Sequence, residues 1–211
     1  MSVKSALRPL YVHWPLSPHA ALRRALAGCA TVADVGCGTR SPLRLALPRA
    51  RVIGLDRHAP LGRMLTRAGW PGAFLVGDAL RLPLADRSVD GAVASHVIEH
   101  VSREDGLRLI AELERVARRA SVVVTPNGFL PQRPRDGNPW QEHLSGWTAA
   151  DLQALGYRVS GSKGWRSLRR EYAEPVVRPA FLGEAVAELS QLVTAARPGW
   201  CFQLVAVKRL R

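Results

Sequence analysis

The sequence predicts an α/β fold in which a mostly parallel sheet is covered on both faces by helices. Short β-rich runs at 31–35, 51–55, 73–76, 89–94 and 121–125 alternate with helical or turn-rich stretches. Strand alternating with helix implies parallel strands joined by crossovers. At 211 residues, 47% apolar and 22% charged, the chain suits one such domain with a full core and is too short for two.

The elements follow in order. Residues 17–28 carry helix punctuation, with Ser17 as N-cap, Pro18 in the first turn and Gly28 past the end. This helix and what precedes it, residues 1–30, form a lead-in segment to a main domain over 31–211. Tyr11, His13 and Trp14 make an aromatic cluster there, either a lid over a site or an anchor on the domain. A helix is expected over 103–118, where Leu107, Ile110, Leu113, Val116 and Ala117 recur at spacings of three and four as a stripe facing the sheet. Ser102 is its cap, with Asp105 near the positive end of the dipole. Residues 129–146 turn to Pro, Gly, Asn and Gln, which reads as a long loop. Thr148 then caps a short helix ending at Gly156, followed by a strand at 157–160, a helix over 181–196 and a last strand at 201–208.

Composition narrows the function. The net charge is +13, but only Lys4, Lys163 and Lys208 are lysines among 30 basic residues, and the arginines are scattered. Dispersal reads as compositional bias more readily than as a polyanion site. The densest basic-aromatic stretch, 165–170, reads either as a grip on an anionic substrate or, more commonly, as a solvated surface turn. No apolar run of about 18 residues occurs and the N-terminus lacks a signal-peptide pattern, so a cytoplasmic chain with no membrane partner is expected. Cys29, Cys37 and Cys201 lack C-x-x-C spacing and read as buried reduced thiols.

Chemistry concentrates at the ends of the first three strands. Gly36 and Gly38 let the backbone turn sharply and approach a ligand, and the next helix N-terminus offers N–H groups to an anion. Asp56, 22 residues after Asp34, ends the second strand, where it can accept from both hydroxyls of a ribose. Gly77 and Asp78 end the third, where a carboxylate can accept from an adenine amino group. Three such tips in one crevice point to a nucleotide-like cofactor. NAD competes, but its third small residue falls at Ser41 followed by Pro42, which favours a carboxylate-binding turn over a pyrophosphate cradle.

The stretches DVGCGT (34–39), VIGLD (52–56) and GDALRLPLADRSVDGAVASHVIEHV (77–101) resemble the class I S-adenosylmethionine-dependent methyltransferases, in particular the small-molecule branch related to ubiquinone-biosynthesis enzymes. The likeness spans about 31–127. It implies a Rossmann-like three-layer sandwich with a seven-stranded sheet of order 3-2-1-4-5-7-6 and an antiparallel last strand. It also implies S-adenosylmethionine as cofactor and S-adenosylhomocysteine as product. By this resemblance Gly36, Cys37 and Gly38 lie against the methionine part, Asp56 holds the ribose, Asp78, Ala79 and Leu80 frame the adenine, and Ser95 and His96 flank the sulfonium. Asp34 and Arg57 are further cofactor contacts. Arg40 stands where the family usually has a third glycine.

The acceptor is expected to be a small molecule methylated on oxygen or nitrogen. A base is needed only if the acceptor loses a proton. His143 is the first candidate, in the long loop beside Trp140 and Trp147, its alternative being a ring that bonds the loop backbone; His96 is the second. Tyr11, Trp14, Trp140, His143 and Trp147 are the expected substrate contacts. His96, Glu99 and His100 partly resemble a metal cluster of certain relatives, but the first acidic ligand is missing and no metal is expected. Two other readings stay open, RNA or DNA methylation and a non-catalytic cofactor-binding subunit. Against the former, 95–98 reads Ser-His-Val-Ile rather than an Asn-Pro-Pro-Tyr type motif. The oligomeric state is expected to be monomer or homodimer.

Overall fold

The computed structural model describes residues 12–133, 139–170 and 173–211. Helix α1 (Pro18–Ala25) begins as its punctuation predicts: Ser17 Oγ accepts the Ala20 N–H at 3.1 Å. Gly28 beyond it takes φ +75°, a conformation that favours glycine. There follow β1 (Thr31–Val35), α2 (Leu43–Ala46), β2 (Arg51–Asp56), α3 (Pro60–Arg67), β3 (Ala73–Val76), β4 (Val89–Ser95), α4 (Arg103–Val116) and β5 (Ala117–Pro126). The chain ends with α5 (Ala149–Ala154), β6 (Arg158–Trp165), α6 (Ala180–Thr194) and β7 (Cys201–Arg209).

The sheet order is β3-β2-β1-β4-β5-β7-β6. Strands β1 to β5 pair in parallel, and β7 runs antiparallel to both β5 and β6. Successive residues of a strand face opposite sides, so the sheet carries two cores. On one face Val32, Val93, Val122, Val124 and Val205 meet Leu22 and Leu26 of α1 and Leu43 of α2. On the other Ala33, Ala92, Val123 and Leu204 meet Leu109, Leu113 and Val116 of α4. Full burial of each large aliphatic chain contributes roughly 1.5–3 kcal/mol, so both layers are held on the sheet chiefly by these contacts. Among the described residues, no helix is long and apolar enough to cross a membrane, and all three cysteines are free and buried.

Two expectations need correction. The buried face of α4 is Gly106, Leu109, Ile110, Leu113 and Val116, while Leu107 is 48% exposed and Ala117 already belongs to β5. The reason lies at Gly106, where a Cβ would collide with the Trp147 ring. That close approach turns the helix so that Trp147 fills the space beside Gly106, leaving Leu107 outward. Trp147 is accordingly a core residue, 1% exposed, with its indole N–H donated to Ser145 Oγ at 3.1 Å. It is not a pocket wall.

Candidate active site

The ends of β1 to β4 converge on one cleft, as parallel strands of an open α/β sheet do at the switch in strand order between β1 and β4. A cavity of about 260 Å³ is lined by Gly36, Asp56, Arg57, Gly77, Asp78, Ala79, Leu80 and His96. A second, of about 540 Å³, lies against Asp34, Gly36, Cys37, Gly38, Arg40 and Ser95. Gly36, His96, His100 and Gln141 line both, so the two spaces adjoin.

Gly36 and Gly38 take φ +65° and +46°, and a Cβ on Gly36 would collide with Val97. Glycine is required at Gly36 twice over, by conformation and by space. The turn is braced from β2: Asp56 Oδ2 accepts the Gly38 N–H at 3.1 Å and Oδ1 accepts the His58 N–H at 2.9 Å. Asp78 Oδ1 accepts the Leu80 N–H at 3.0 Å. The helix after β1 spans only Leu43–Ala46, so the backbone of the glycine turn, not a helix terminus, faces the cleft. The Cys37 thiol packs under the turn, where a Cβ on Gly54 would lie 2.9 Å from it, and burial raises its pKa. Only its backbone can serve a ligand.

Asp34 lies beneath the turn at 1% exposure, with Oδ2 buried and without a hydrogen-bond partner. Burial pushes its pKa up to about 7, raised also by Asp56 and partly offset by the Ser41 hydroxyl. A buried acid with one unpartnered oxygen beside a cavity is half of a pair that a ligand's ammonium would complete. Trp140, 53% exposed, carries the Arg57 guanidinium over its ring at 3.8 Å from the centroid. Both line the first cavity, so Trp140 stands on the side of the cleft that holds Asp56 and Asp78.

On the far side of His96 the cleft continues into a cavity of about 290 Å³ lined by Glu99, His100, Leu130, His143, Lys163, Phe202 and Gln203. His96 lines this cavity and both of the others. It takes φ +57° directly after β4, an uncommon conformation for a residue with a Cβ. Its Nδ1 lies 3.0 Å from Glu99 Oε1, and Glu99 Oε2 accepts the Thr125 hydroxyl at 3.1 Å. Burial alone would raise Glu99, but the His96 hydrogen bond and the charges of His96 and His100 outweigh it and hold the carboxyl below its ordinary value.

His143 is 7% exposed, and its Nδ1 lies 2.6 Å from the Leu130 carbonyl. A carbonyl only accepts, so Nδ1 carries the proton and Nε2 keeps its lone pair. Burial lowers the pKa of this ring, which keeps it neutral. His100 is oriented likewise, Nδ1 to the Glu142 carbonyl at 3.0 Å, and its ring meets His143 edge-on at 4.8 Å between centroids. One ligand atom each from Glu99, His100 and His143 fall within 4.8 Å of one another. Two histidines and a carboxylate so arranged have the composition of a divalent-metal site, a grouping that the expectation of no metal did not contain.

Trp14 and Trp147 line none of these cavities, and Tyr11 lies outside the described residues. Residues 12–16, just before α1, are folded onto that helix, with Arg23 donating to the Val12 carbonyl at 2.7 Å and Arg24 to the Pro15 carbonyl at 2.8 Å. Sequence reasoning missed Lys163, Phe202 and Gln203. The signal at Lys163 was faint: Lys163 and Gly164 both take positive φ at an irregularity where β6 breaks register with β7, and no side-chain period marks it.

Residues 33–125 match a family model described as a methyltransferase domain. A demethylmenaquinone methyltransferase of a Roseiflexus species is 30% identical over 115 residues, covering 50% of this chain and 46% of that protein. A probable S-adenosylmethionine-dependent methyltransferase of Mycolicibacterium smegmatis is 36% identical over 144 residues, 63% of this chain and 54% of the other. The chain spans about half the length of these relatives. A solved S-adenosylmethionine-dependent methyltransferase from Archaeoglobus fulgidus superposes with a TM-score of 0.57 at 18% identity, covering 99% of this chain and 100% of that one. Another, from Methanosarcina mazei, gives 0.59 at 18% identity over 90% of this chain and 96% of the other. These superpositions establish a shared fold.

Proposed function

We propose that this chain is a class I S-adenosylmethionine-dependent methyltransferase that transfers a methyl group to an oxygen or nitrogen of a small molecule. The observation that carries the reading is the unpartnered Asp34 oxygen beneath the glycine turn, in a cleft that also presents Asp56 and Asp78. A ligand with an ammonium at one end and an adenosyl group at the other satisfies all three acids. S-adenosylmethionine has that form, and when bound it supplies a methyl group already activated by a positive sulfur.

The protein's own tasks are then alignment, exclusion of water and handling of one proton. Asp34 takes the ammonium, the backbone of 36–38 takes the carboxylate, Asp56 the ribose hydroxyls, and Asp78 with Ala79 and Leu80 the adenine edge. Arg57 and Trp140 close the outer rim. His96 stands where the cofactor and acceptor spaces meet, fixed by Glu99. His143 Nε2 takes the proton from the acceptor's O–H or N–H as the new bond forms. Its Leu130 hydrogen bond serves this role by fixing the tautomer.

Glu99, His100 and His143 also fit a divalent cation by donor type and spacing, which would polarise an acceptor oxygen at the same place. Turnover after exhaustive chelation, with and without added metal, decides between base and ligand for His143. Calorimetry with S-adenosylmethionine and S-adenosylhomocysteine tests the cofactor reading directly. Asp56→Ala is expected to weaken binding by about 1–3 kcal/mol, and unchanged affinity rejects the ribose role. A second reading, RNA as acceptor, is favoured by the net charge of +13. It is also supported by 32% identity over 120 residues to an Arabidopsis thaliana tRNA (carboxymethyluridine(34)-5-O)-methyltransferase, of which this chain covers 27%. A steep salt dependence of RNA binding would select it.

A further inference from the structure

Helix α6 reverses the usual arrangement of a surface helix. Its buried side is small or polar: Gly183, Ala187, Gln191 and Thr194. Gln191 Oε1 accepts the Gly164 N–H at 2.6 Å, its amide donates to the Gly161 carbonyl at 2.8 Å, and Ser190 Oγ accepts the Trp165 N–H at 2.8 Å. Along one flank Glu184 and Glu188 pair with the buried Arg169 at 3.2 and 2.7 Å. These bonds hold the helix to β6. Its large apolar side chains are left outside, Phe181 at 65% exposure, Leu189 and Leu192 at 60%, Val193 at 67%. Leu182 and Val186 are also exposed, and Leu182, Val186, Leu189 and Val193 fall at spacings of four, three and four, with Leu192 three past Leu189, to form one stripe that Phe181 adjoins at its N-terminal end. A contiguous apolar face on a helix already fastened by its polar side is built for contact with something else.

The border of that face is cationic and aromatic. Arg178, two residues before α6, and Arg197, three residues after it, are exposed, as are Arg166 and Arg170 between β6 and α6. Trp165 and Trp200, both exposed, stack at 6.1 Å between centroids, with the Arg197 guanidinium 4.3 Å over Trp200. Of the described acids in this region, Glu184 and Glu188 are paired off the stripe and Glu174 stands exposed. Apolar stripe, indole pair and arginine rim together match an anionic lipid surface, with acyl chains for the first, headgroup depth for the second and phosphates for the third. A second copy of the chain fits less well, since it would bring two arginine rims of a +13 protein together.

We propose that α6 is an interfacial helix that lays this protein on anionic membranes. At 15 residues it is too short to span a bilayer but long enough to lie in its interface. The expectation of no membrane partner rested on the absence of a long apolar run, which bears on spanning and not on lying flat. The proposal stands independently of the methyl-transfer reading. The helix does sit beside the acceptor space, for Lys163 lines that cavity and the next two residues are the ones bonded to α6.

The test is co-sedimentation of the full chain with vesicles of phosphatidylcholine alone or with about one-third phosphatidylglycerol. The expected result is retention on the anionic vesicles roughly tenfold above the neutral ones, falling as salt is added. Leu189→Glu with Leu192→Glu should lower that retention about tenfold or more, while cofactor affinity and melting temperature stay at the wild-type values because both positions are exposed. Three outcomes overturn the proposal: no retention by wild type, undiminished retention by the double variant, or a wild-type dimer in sedimentation velocity that the same variant dissociates.

Discussion

The two halves of the cleft are built in opposite ways. On the side proposed for the cofactor each group sits at the tip of a strand and is fixed by its immediate neighbours: Gly36 and Gly38 by the turn, Asp56 by Gly38 and His58, Asp78 by Leu80. On the side proposed for the acceptor the groups come from distant parts of the chain and are fixed by other segments, Glu99 by Thr125, His100 by the Glu142 carbonyl, His143 by the Leu130 carbonyl. A strand-tip site is a local property that a short motif can carry. A convergent site exists only once β5, β6, β7 and the 127–147 loop have packed.

If the halves are separable, loss on the acceptor side should spare the cofactor. Replacement of His143 by Phe is expected to have the largest effect, lowering turnover by about 10²–10⁴-fold if it is the base, with cofactor affinity by calorimetry unchanged. Its pH profile adds a second check. Burial lowers the His143 pKa, so the neutral, proton-accepting ring persists to lower pH, and the acid limb of kcat should fall below the ordinary histidine value of about 6.5. A parallel loss of cofactor affinity would show instead that the two halves act as one unit.

The reverse experiment strikes the turn. Gly36→Val places a branched side chain where even a Cβ collides with Val97, at a positive φ. Overpacking and left-handed strain each cost on the order of 1–3 kcal/mol, so cofactor affinity should drop by about a hundredfold or more. Circular dichroism would verify that the sheet survives. Retained affinity would mean that the ligand does not approach the turn.

This contrast also explains what could be read in advance. The strand order came with the family resemblance, and the three tips were visible because DVGCGT, VIGLD and the Gly77–Asp78 pair each combine a strand's apolar run with its terminal chemistry. Trp140 and Trp147 are seven residues apart in one loop and looked equivalent, yet one caps the cofactor cavity and the other fills the space that Gly106 leaves. No pattern within the loop separates them, because the deciding residue lies on α4. The grouping of Glu99 and His100 with His143 was hidden for the same reason: 42 residues lie between His100 and His143, and only folding of the loop against the 98–100 turn brings them together. Helix α6 was legible as a helix, but which of its sides faces β6 was not, since apolar spacing normally marks the buried stripe and here marks the exposed one.

Asp34 gives a middle-sized effect with a sign that can be checked twice. The ligand's ammonium requires the ionised acid, so cofactor affinity should rise as pH passes upward through about 7 and then level. Asp34→Asn should flatten that profile and cost roughly 1–3 kcal/mol above it, about ten- to a hundredfold in affinity. In the ligand-free protein the linkage runs the other way. The folded-state pKa is raised above the ordinary aspartate value of 3.8 to about 7, so the folded state holds the extra proton between those values. Its stabilising contribution is full below the lower pKa and lost as pH rises through the upper. Melting temperature should therefore fall between pH 5 and pH 8 more steeply in wild type than in Asp34→Asn. Equal slopes would place the acid outside the buried pair that the cofactor is proposed to complete.

The smallest expected effect lies at the rim, where the comparison is sharpest because Trp140 sits in the acceptor-side loop but faces the cofactor cavity. The Arg57 guanidinium over its ring is a cation–π contact at an exposed site, worth about 0.5–1 kcal/mol. Trp140→Ala should thus weaken cofactor binding about two- to fivefold, and Arg57→Ala should do the same. The double variant should lose no more than either single one, since each removes the same contact. A loss in KM for the acceptor with cofactor affinity intact would move Trp140 across the divide and make the loop a substrate wall along its whole length.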